Sequence, residues 1–330
     1  MSIAARIPKV HLHCHLEGSV RPQTFVELAA KHGVGLRYGD GTPDADPAQP
    51  YRFKDFAEFL LAFAAVGRAL GEPADYARIA REFVEEALAQ NVIYGELFIS
   101  PSVWTFFHEE FDVREGVEAI VTELRRARPS AEFKLIVDLT RNFGAESALR
   151  TAKLAASLVD LDVIGVGLGG DEVRFGPELF VEPFAYAKAQ GLACVAHAGE
   201  AAGHASVRDA VNLLGARRIG HGVAALQDAT TLELLARNGV ALEICPTSNT
   251  FTGTALAGRH AFAEFDRAGC VVTIDADDPH MFGTTITREY ELVETVAGPA
   301  ALERYVRNAI DASFADATVK AALHARMSSF

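Results

Sequence analysis

The sequence predicts an α/β fold: a closed (β/α)8 barrel of parallel strands with extra helices packed outside it. Three observations predict it. Eight short, nearly all-apolar runs recur along the 330 residues, separated by segments of helical periodicity, and strands of that kind lie in parallel sheets covered on their outer face. A count of eight suits a ring better than an open sheet. An open, doubly wound sheet would also want a glycine-rich, phosphate-cradling turn after its first strand. Here that turn reads His15-Leu16-Glu17-Gly18. One barrel spanning 1–330, with insertions, accounts for the length without repeats, low-complexity tracts or linkers.

The first strand lies in PKVHLHCHLEGS, Pro8 to Ser19, where Val10, Leu12, Cys14 and Leu16 alternate with His11, His13 and His15. That period of 2 aims His13 and His15 to one side of a strand. Arg21 to His32 is helical, with Gly33 as its stop. Residues 34–50, rich in Gly, Asp and Pro, read as a surface loop. Helices are expected over Phe53–Leu70 and Pro73–Gln90. The remaining strands are Val92–Ile99, Phe133–Thr140, Val163–Leu168, Leu192–His197, Arg218–His221, Val240–Cys245 and Cys270–Asp275. Helices separate them around Val113–Arg126, Ser147–Leu158, Glu178–Gln190, Ser206–Leu214, Thr230–Arg237 and Arg259–Ala268. The segment after residue 283 is helical and expected outside the barrel.

Acidic residues outnumber basic ones 44 to 31, giving a formal charge of -13. That balance argues against nucleic acid and anionic membranes as partners but admits a small neutral substrate. The four cysteines, Cys14, Cys194, Cys245 and Cys270, sit in apolar runs with no CxxC pair, which suggests buried free thiols in a reducing compartment. MSIAARIPKV is too short and too weakly apolar for a signal peptide. No apolar run approaches the length of a membrane span. The expectation is a soluble, cytoplasmic protein.

In barrels of this kind chemistry sits at the C-terminal ends of the strands. Read in order, those ends deliver His13 and His15, then His197 followed by Glu200, then His221, then Asp277 and Asp278 within DADDP. Three imidazoles and a carboxylate suit a borderline-soft ion such as zinc and leave room for a water, whose pKa the ion lowers. Glu200, three residues past His197, is placed to carry a proton to the substrate. His221 could orient, deprotonate or stabilise the attacking water. Each residue alone has a blander reading: a core histidine, a tight turn between glycines, a helix cap. Their concurrence at the strand ends outweighs those readings. His11 shares the strand face of His13 and His15, but lies toward the N-terminal end, where structural packing is expected.

The chain resembles the adenosine deaminase family of the amidohydrolase superfamily. The anchors are PKVHLHCHLEGS at Pro8, GLGGDE at Gly167, HAGE at His197, RIGHG at Arg218, CPTSNTFTG at Cys245 and DADDP at Asp275, with a weaker RNAIDASF at Arg307. The resemblance implies a barrel holding one Zn2+ that replaces the 6-amino group of a purine with oxygen. By motif, His13, His15, His197 and Asp277 bind the metal, and Glu200 protonates the ring nitrogen beside the attacked carbon. His221 assists the attacking water, Asp278 meets the five-membered ring and the Gly170 backbone meets the six-membered ring. Phe59, Leu60 and Phe63 match a hydrophobic gate, although their pattern alone reads as core.

Two departures bear on substrate. Glu17 stands where adenosine deaminases often have Asp, a position that meets the sugar; in the loop over the pocket mouth it is expected to accept a sugar hydroxyl. Asp275 stands where they usually have Asn. The leading expectation is a purine nucleoside substrate, adenosine or 2′-deoxyadenosine. Aminodeoxyfutalosine, whose benzoate would call for Arg141 or Arg174, and free adenine are the alternatives. A catalytically silent metal-binding relative has no need to keep ligands, acid and second carboxylate together. A binuclear site built on a carboxylated lysine lacks its lysine, since the fourth strand runs into Gly169-Gly170-Asp171.

Overall fold

The computed structural model describes residues 2–37, 46–252 and 259–330. The middle of the expected 34–50 loop and Gly253, the last residue of CPTSNTFTG, lie outside them. The eight strands are β1 (Lys9–His15), β2 (Val92–Ile99), β3 (Glu132–Thr140), β4 (Val163–Gly169), β5 (Ala193–Ala198), β6 (Arg218–His221), β7 (Ala241–Ile244) and β8 (Val271–Ile274). They pair in parallel in chain order, β1 through β8, as a nearly closed barrel. Every residue of β1 and β2 is buried, which is why these strands read as apolar or histidine-bearing runs without a solvent face. Val10, Leu12 and Cys14 of β1 join the main apolar cluster. His13 and His15 alternate with them.

Helices follow the strands as expected, with local signals that fix their ends. Asp55 caps Phe56–Ala69 by accepting the Glu58 N–H at 2.9 Å. Pro73 opens Pro73–Ala89 behind a Glu72/Asp75 capping box. Three helices, Ile286–Ala297, Pro299–Ala312 and Ala317–Ser328, form the C-terminal segment. A short helix at Pro101–Phe107, directly after β2, has no counterpart in the sequence reading. No helix among the described residues is long and apolar enough to cross a membrane. The four cysteines are buried and free.

The ring closes between β8 and β1 through a single bridge, Cys14 to Asp277. His15 N–H donates to the Asp277 carbonyl at 3.0 Å and Asp277 N–H to the His13 carbonyl at 3.0 Å. Below that bridge side chains replace the ladder. Asp275 Oδ1 accepts the N–H groups of Leu12 (2.6 Å) and His13 (3.1 Å). His11 Nε2 accepts the Ala276 N–H at 3.2 Å. His11 is therefore a structural seam residue. Asp275 faces β1 and the Thr273 hydroxyl (2.8 Å) and is absent from the cavity wall, so its departure from the family pattern meets backbone rather than substrate.

The barrel interior carries a buried chain of charge. Arg218 bridges Glu96 and Glu243, all three fully buried. Glu243 Oε2 meets His13 Nδ1 at 2.8 Å, and the Tyr94 hydroxyl donates to Glu96 at 2.9 Å. Removing one partner of such a buried pair typically costs about 3–5 kcal/mol. This chain fixes the orientation of His13 from below.

Candidate active site

A cavity of about 860 Å³, counting its part open to solvent, lies over the C-terminal ends of the strands. His15, His197, His221, Glu200, Asp277 and Asp278 line its floor. Phe56, Phe59, Leu60, Phe63 and Val103 line its apolar side. Phe59 and Ala62 pack against Met281 and Phe282 as a separate apolar cluster, with the Phe59 and Phe282 rings stacked at 5.0 Å. Leu60 and Phe63 thus face the cavity, while Leu61 is exposed.

Ring nitrogens and carboxylate oxygens converge on the floor. His15 Nε2 and His197 Nε2 are 3.2 Å apart. Asp277 Oδ1 is 3.2 Å from His13 Nε2 and 3.5 Å from His15 Nε2. Candidate ligand atoms of His13, His197, His221 and Asp277 lie within 4.8 Å of one another, and those of His15, Asp277 and Asp278 do too. His13 Nε2 is buried among them with no hydrogen-bond partner. An orphaned imidazole nitrogen facing other imidazoles and a carboxylate fits a metal ion. Two of the three opposite ring nitrogens are held by protein, as is usual for ligating histidines: Glu243 holds His13, and the Leu168 carbonyl accepts from His197 Nδ1 at 3.1 Å, whereas His15 Nδ1 is buried without a partner. The expected ligands His13, His15, His197 and Asp277 are all present together.

Distance alone does not set His221 apart from that group; its neighbours do. Nδ1 of His221 pairs with the Asn249 amide at 3.0 Å, and Nε2 looks toward Glu200 Oε2 (3.7 Å) and Asp277 Oδ2 (3.8 Å). Ser248 donates to Asp277 Oδ2 at 2.6 Å. Ser248 and Asn249 both come from the helix Pro246–Phe251 after β7. His221 and Asp277 each adopt φ of +62°, in the left-handed region. Such a conformation costs a non-glycine residue roughly 1–3 kcal/mol and collects at functional sites.

Burial holds the imidazoles neutral: it pushes His15 down to about 3 and His221 to about 4, and takes His197 well below its ordinary value. His13 goes the other way. Burial opposes its charge, but the Asp277 and Glu243 carboxylates outweigh burial and raise it. Burial, then the Asp277 charge, raises both Glu200 and Asp278 well above the usual carboxylate range. Burial works to raise Asp277 too, but the close approach of His13 and the charge of the surrounding histidines hold it well below. The cavity thus pushes Asp277 toward the ionised form and Glu200 and Asp278 toward the protonated form, a division set by environment.

Glycines shape the approach to these groups. A Cβ at Gly18 would fall 1.7 Å from Asp278 Oδ1. Gly170 has φ of +101°, and a Cβ there would fall 2.4 Å from Asn142 Oδ1. Its backbone lines the cavity.

The expected sugar contact Glu17, and the two arginines named for an aminodeoxyfutalosine carboxylate, fall elsewhere. Glu17 is fully buried off the cavity wall, with Oε1 accepting from Ser100 N–H (3.0 Å) and Trp104 Nε1–H (2.7 Å). It is not in a loop over the mouth, because the chain turns inward through the 3₁₀ segment Glu17–Ser19. Arg141 is buried and spends its guanidinium on the carbonyls of Phe175 and His197. The Arg174 side chain is 72% exposed, 3.8 Å from Asp171. Neither arginine lines the cavity.

Sequence reading passed over Glu172. Its carboxylate accepts the N–H groups of Gly199, Glu200, Ala201 and Ala202 and the Ser206 hydroxyl, fixing the loop that carries Glu200. It also passed over Glu243, the lone acid in an apolar strand, and Asp138, which lines the cavity from β3.

The adenosine deaminase family model matches residues 8–329. An adenine deaminase of Rhizobium leguminosarum bv. trifolii is 36% identical over 326 residues, covering 97% of this chain and 99% of its own. An aminodeoxyfutalosine deaminase of Streptomyces avermitilis is 36% identical over 341 residues, covering 100% and 92%. The crystal structure of an amidohydrolase from Burkholderia ambifaria with bound Zn aligns with TM-score 0.90 at 29% identity, covering 100% of this chain and 93% of that one.

Proposed function

The chain belongs to the adenosine deaminase family, and on that premise we propose that it hydrolytically deaminates a neutral 6-aminopurine, free adenine foremost, with one zinc ion held by His13, His15, His197 and Asp277. A bound zinc ion supplies a Lewis acid that lowers the pKa of water beside C6. Glu200, protonated by its surroundings, donates to N1 and so relieves the loss of ring conjugation on attack. His221, neutral and accepting the Asn249 amide N–H at Nδ1, presents Nε2–H to the attacking water and orients it, while the proton the water loses passes to the leaving amino group. Asp278, also protonated, donates to N7, and the Gly170 N–H meets N3. The amino group leaves as ammonia and the product is the 6-oxopurine.

The observation that carries the substrate is the composition of the cavity wall. Among the described residues it has no lysine or arginine, so nothing there answers the phosphate of a nucleotide or the carboxylate of aminodeoxyfutalosine. Beyond the metal site, Thr140 is engaged with Ser102 at 2.9 Å and Asn142 with the Asp171 N–H at 3.0 Å, while Asp138 Oδ1 is left unpaired. Glu17, the expected sugar contact, serves Ser100 and Trp104 instead. What remains is an apolar side over a polar floor, suited to a bare base. Adenosine or 2′-deoxyadenosine is the second reading, favoured by the hydrophobic side of the cavity formed by Phe59, Leu60 and Phe63, which matches the expected nucleoside gate.

Ammonia release from adenine, adenosine, 2′-deoxyadenosine and aminodeoxyfutalosine, compared at equal concentration, tests this. Adenine is expected to show the highest kcat/KM. A nucleoside turned over faster would install the second reading, and no turnover of any 6-aminopurine would sink both. Metal analysis should find about one zinc per chain.

A further inference from the structure

We propose that Asp138 reads the N9 edge of the base, its carboxyl oxygen accepting the N9–H of free adenine. This rests on the adenine reading above and identifies what recognises the one side of the base left unassigned. Around the purine from C6, the ring nitrogens come in the order N1, N3, N9, N7. The proposed contacts follow the barrel in the same sense: Glu200 after β5 at N1, Gly170 after β4 at N3, and Asp278 after β8 at N7. N9 then faces the remaining arc, the ends of β3, β2 and β1. N3 and N9 share the carbon C4, so the group reading N9 stands beside the one reading N3. Asp138 is on β3, the strand next to Gly170, with β3 and β4 in register at Asp138 and Gly167.

The side chain itself looks built for a partner it lacks. Asp138 is 5% exposed and lines the cavity. Its Oδ1 is buried without a hydrogen-bond partner. Oδ2 is 3.9 Å from His15 Nδ1, beyond hydrogen-bond reach. Strand β4 makes room for the carboxyl: a Cβ at Gly167 or at Gly169 would fall 2.6 Å from one of its oxygens. A buried carboxyl with an unpaired oxygen is unfavourable unless a ligand supplies a donor. In 9H-adenine N1, N3 and N7 are acceptors, met by the donors already named, and N9–H is the only ring N–H. In either protonation state Asp138 keeps an acceptor oxygen for it.

The test compares adenine with 9-methyladenine, which has no N9–H, on the zinc-loaded protein and on Asp138→Ala, Asp138→Leu and Asp138→Asn. Wild type should prefer adenine. The Ala and Leu variants should lose about 10- to 100-fold in kcat/KM on adenine, mainly through KM, and change little on 9-methyladenine, as expected for one hydrogen bond to a carboxylate. Asn, which keeps an acceptor oxygen, should recover part of the loss. Zinc content and melting temperature identify any variant that has not folded; Leu, branched at Cγ as Asp is, stands in if Ala fails. Equal losses on both purines with zinc retained would overturn the inference and leave Asp138 as a support for His15. Wild type preferring adenosine to adenine would instead overturn the base reading, an outcome visible before any variant is made.

Discussion

Glu200 and Asp277 share a cavity, yet their surroundings drive them to opposite protonation states. Burial and the charges of Asp277 and Glu172 raise Glu200, whereas the histidines hold Asp277 ionised. If Glu200 is the acid, the active form is the protonated one. Its raised pKa carries that form to higher pH than an ordinary carboxyl would, and kcat should fall as pH rises through it. Glu200→Gln should keep zinc and bind purine but lose about 10²–10⁴-fold in kcat, and should abolish that alkaline limb. An unchanged limb in Glu200→Gln would assign the titration to another group. The seven residues expected at the strand ends come together because each lies near or just past the end of its strand, with chemistry in an apolar context. Glu17 misled because a sequence shows that a carboxylate follows a strand, not that Trp104 will claim it. Glu172 and Glu243 act through backbone and His13, and partners distant in sequence leave no spacing to read.

At the scale of the element, strands were the most legible part: β2 and β6 have the expected bounds and the other six differ at their ends by a residue or a few. Continuous apolar runs bounded by glycine and helix leave little choice. The seam between β8 and β1 was not legible, because it is closed by side chains rather than by a ladder. Asp275 tests that account. Burial pushes it from 3.8 to about 7, so the folded state binds its proton more tightly than the unfolded state. Stability therefore falls as pH rises across that window. Asp275→Asn keeps the acceptor for Leu12 and His13 without the charge. It should gain stability relative to wild type as pH rises from about 4 to 7, with substrate preference unchanged. A shift in preference would return Asp275 to substrate recognition. The helix Phe56–Ala69 gives a second case, since its aromatics read as core and line the cavity as well. Phe59→Ala should cost about 3 kcal/mol in urea unfolding and raise KM more than it lowers kcat. A loss of stability with KM unmoved would make Phe59 core alone.

For the whole molecule, the consequence of the proposed zinc site follows from where its ligands originate. His13 and His15 come from β1, Asp277 from just past β8, and His197 from β5 across the ring. The first two sources flank the seam, where one bridge and the Asp275 and His11 side chains stand in for a strand ladder. A metal bound by all four would tie the weakest joint of the barrel to its opposite wall. Without it, His13 lies between two carboxylates that favour its charged form, so metal must displace a proton, and uptake should strengthen with pH. Stripping zinc should therefore do more than silence the enzyme. At free zinc about 1,000-fold above its Kd, the folded state gains about 4 kcal/mol, and the melting temperature should climb with zinc concentration. Hydrogen exchange should localise the effect, with amides of β1 and residues 275–277 exchanging faster in the stripped protein while β2 and β3 change little. Calorimetry in buffers of different ionisation enthalpy should find about one proton released per zinc bound, the count expected if His13 alone must lose its charge. A stripped protein that melts at the holoprotein temperature, with unaltered exchange along the seam, would show that the barrel is closed by its side chains alone and that the metal serves only the chemistry.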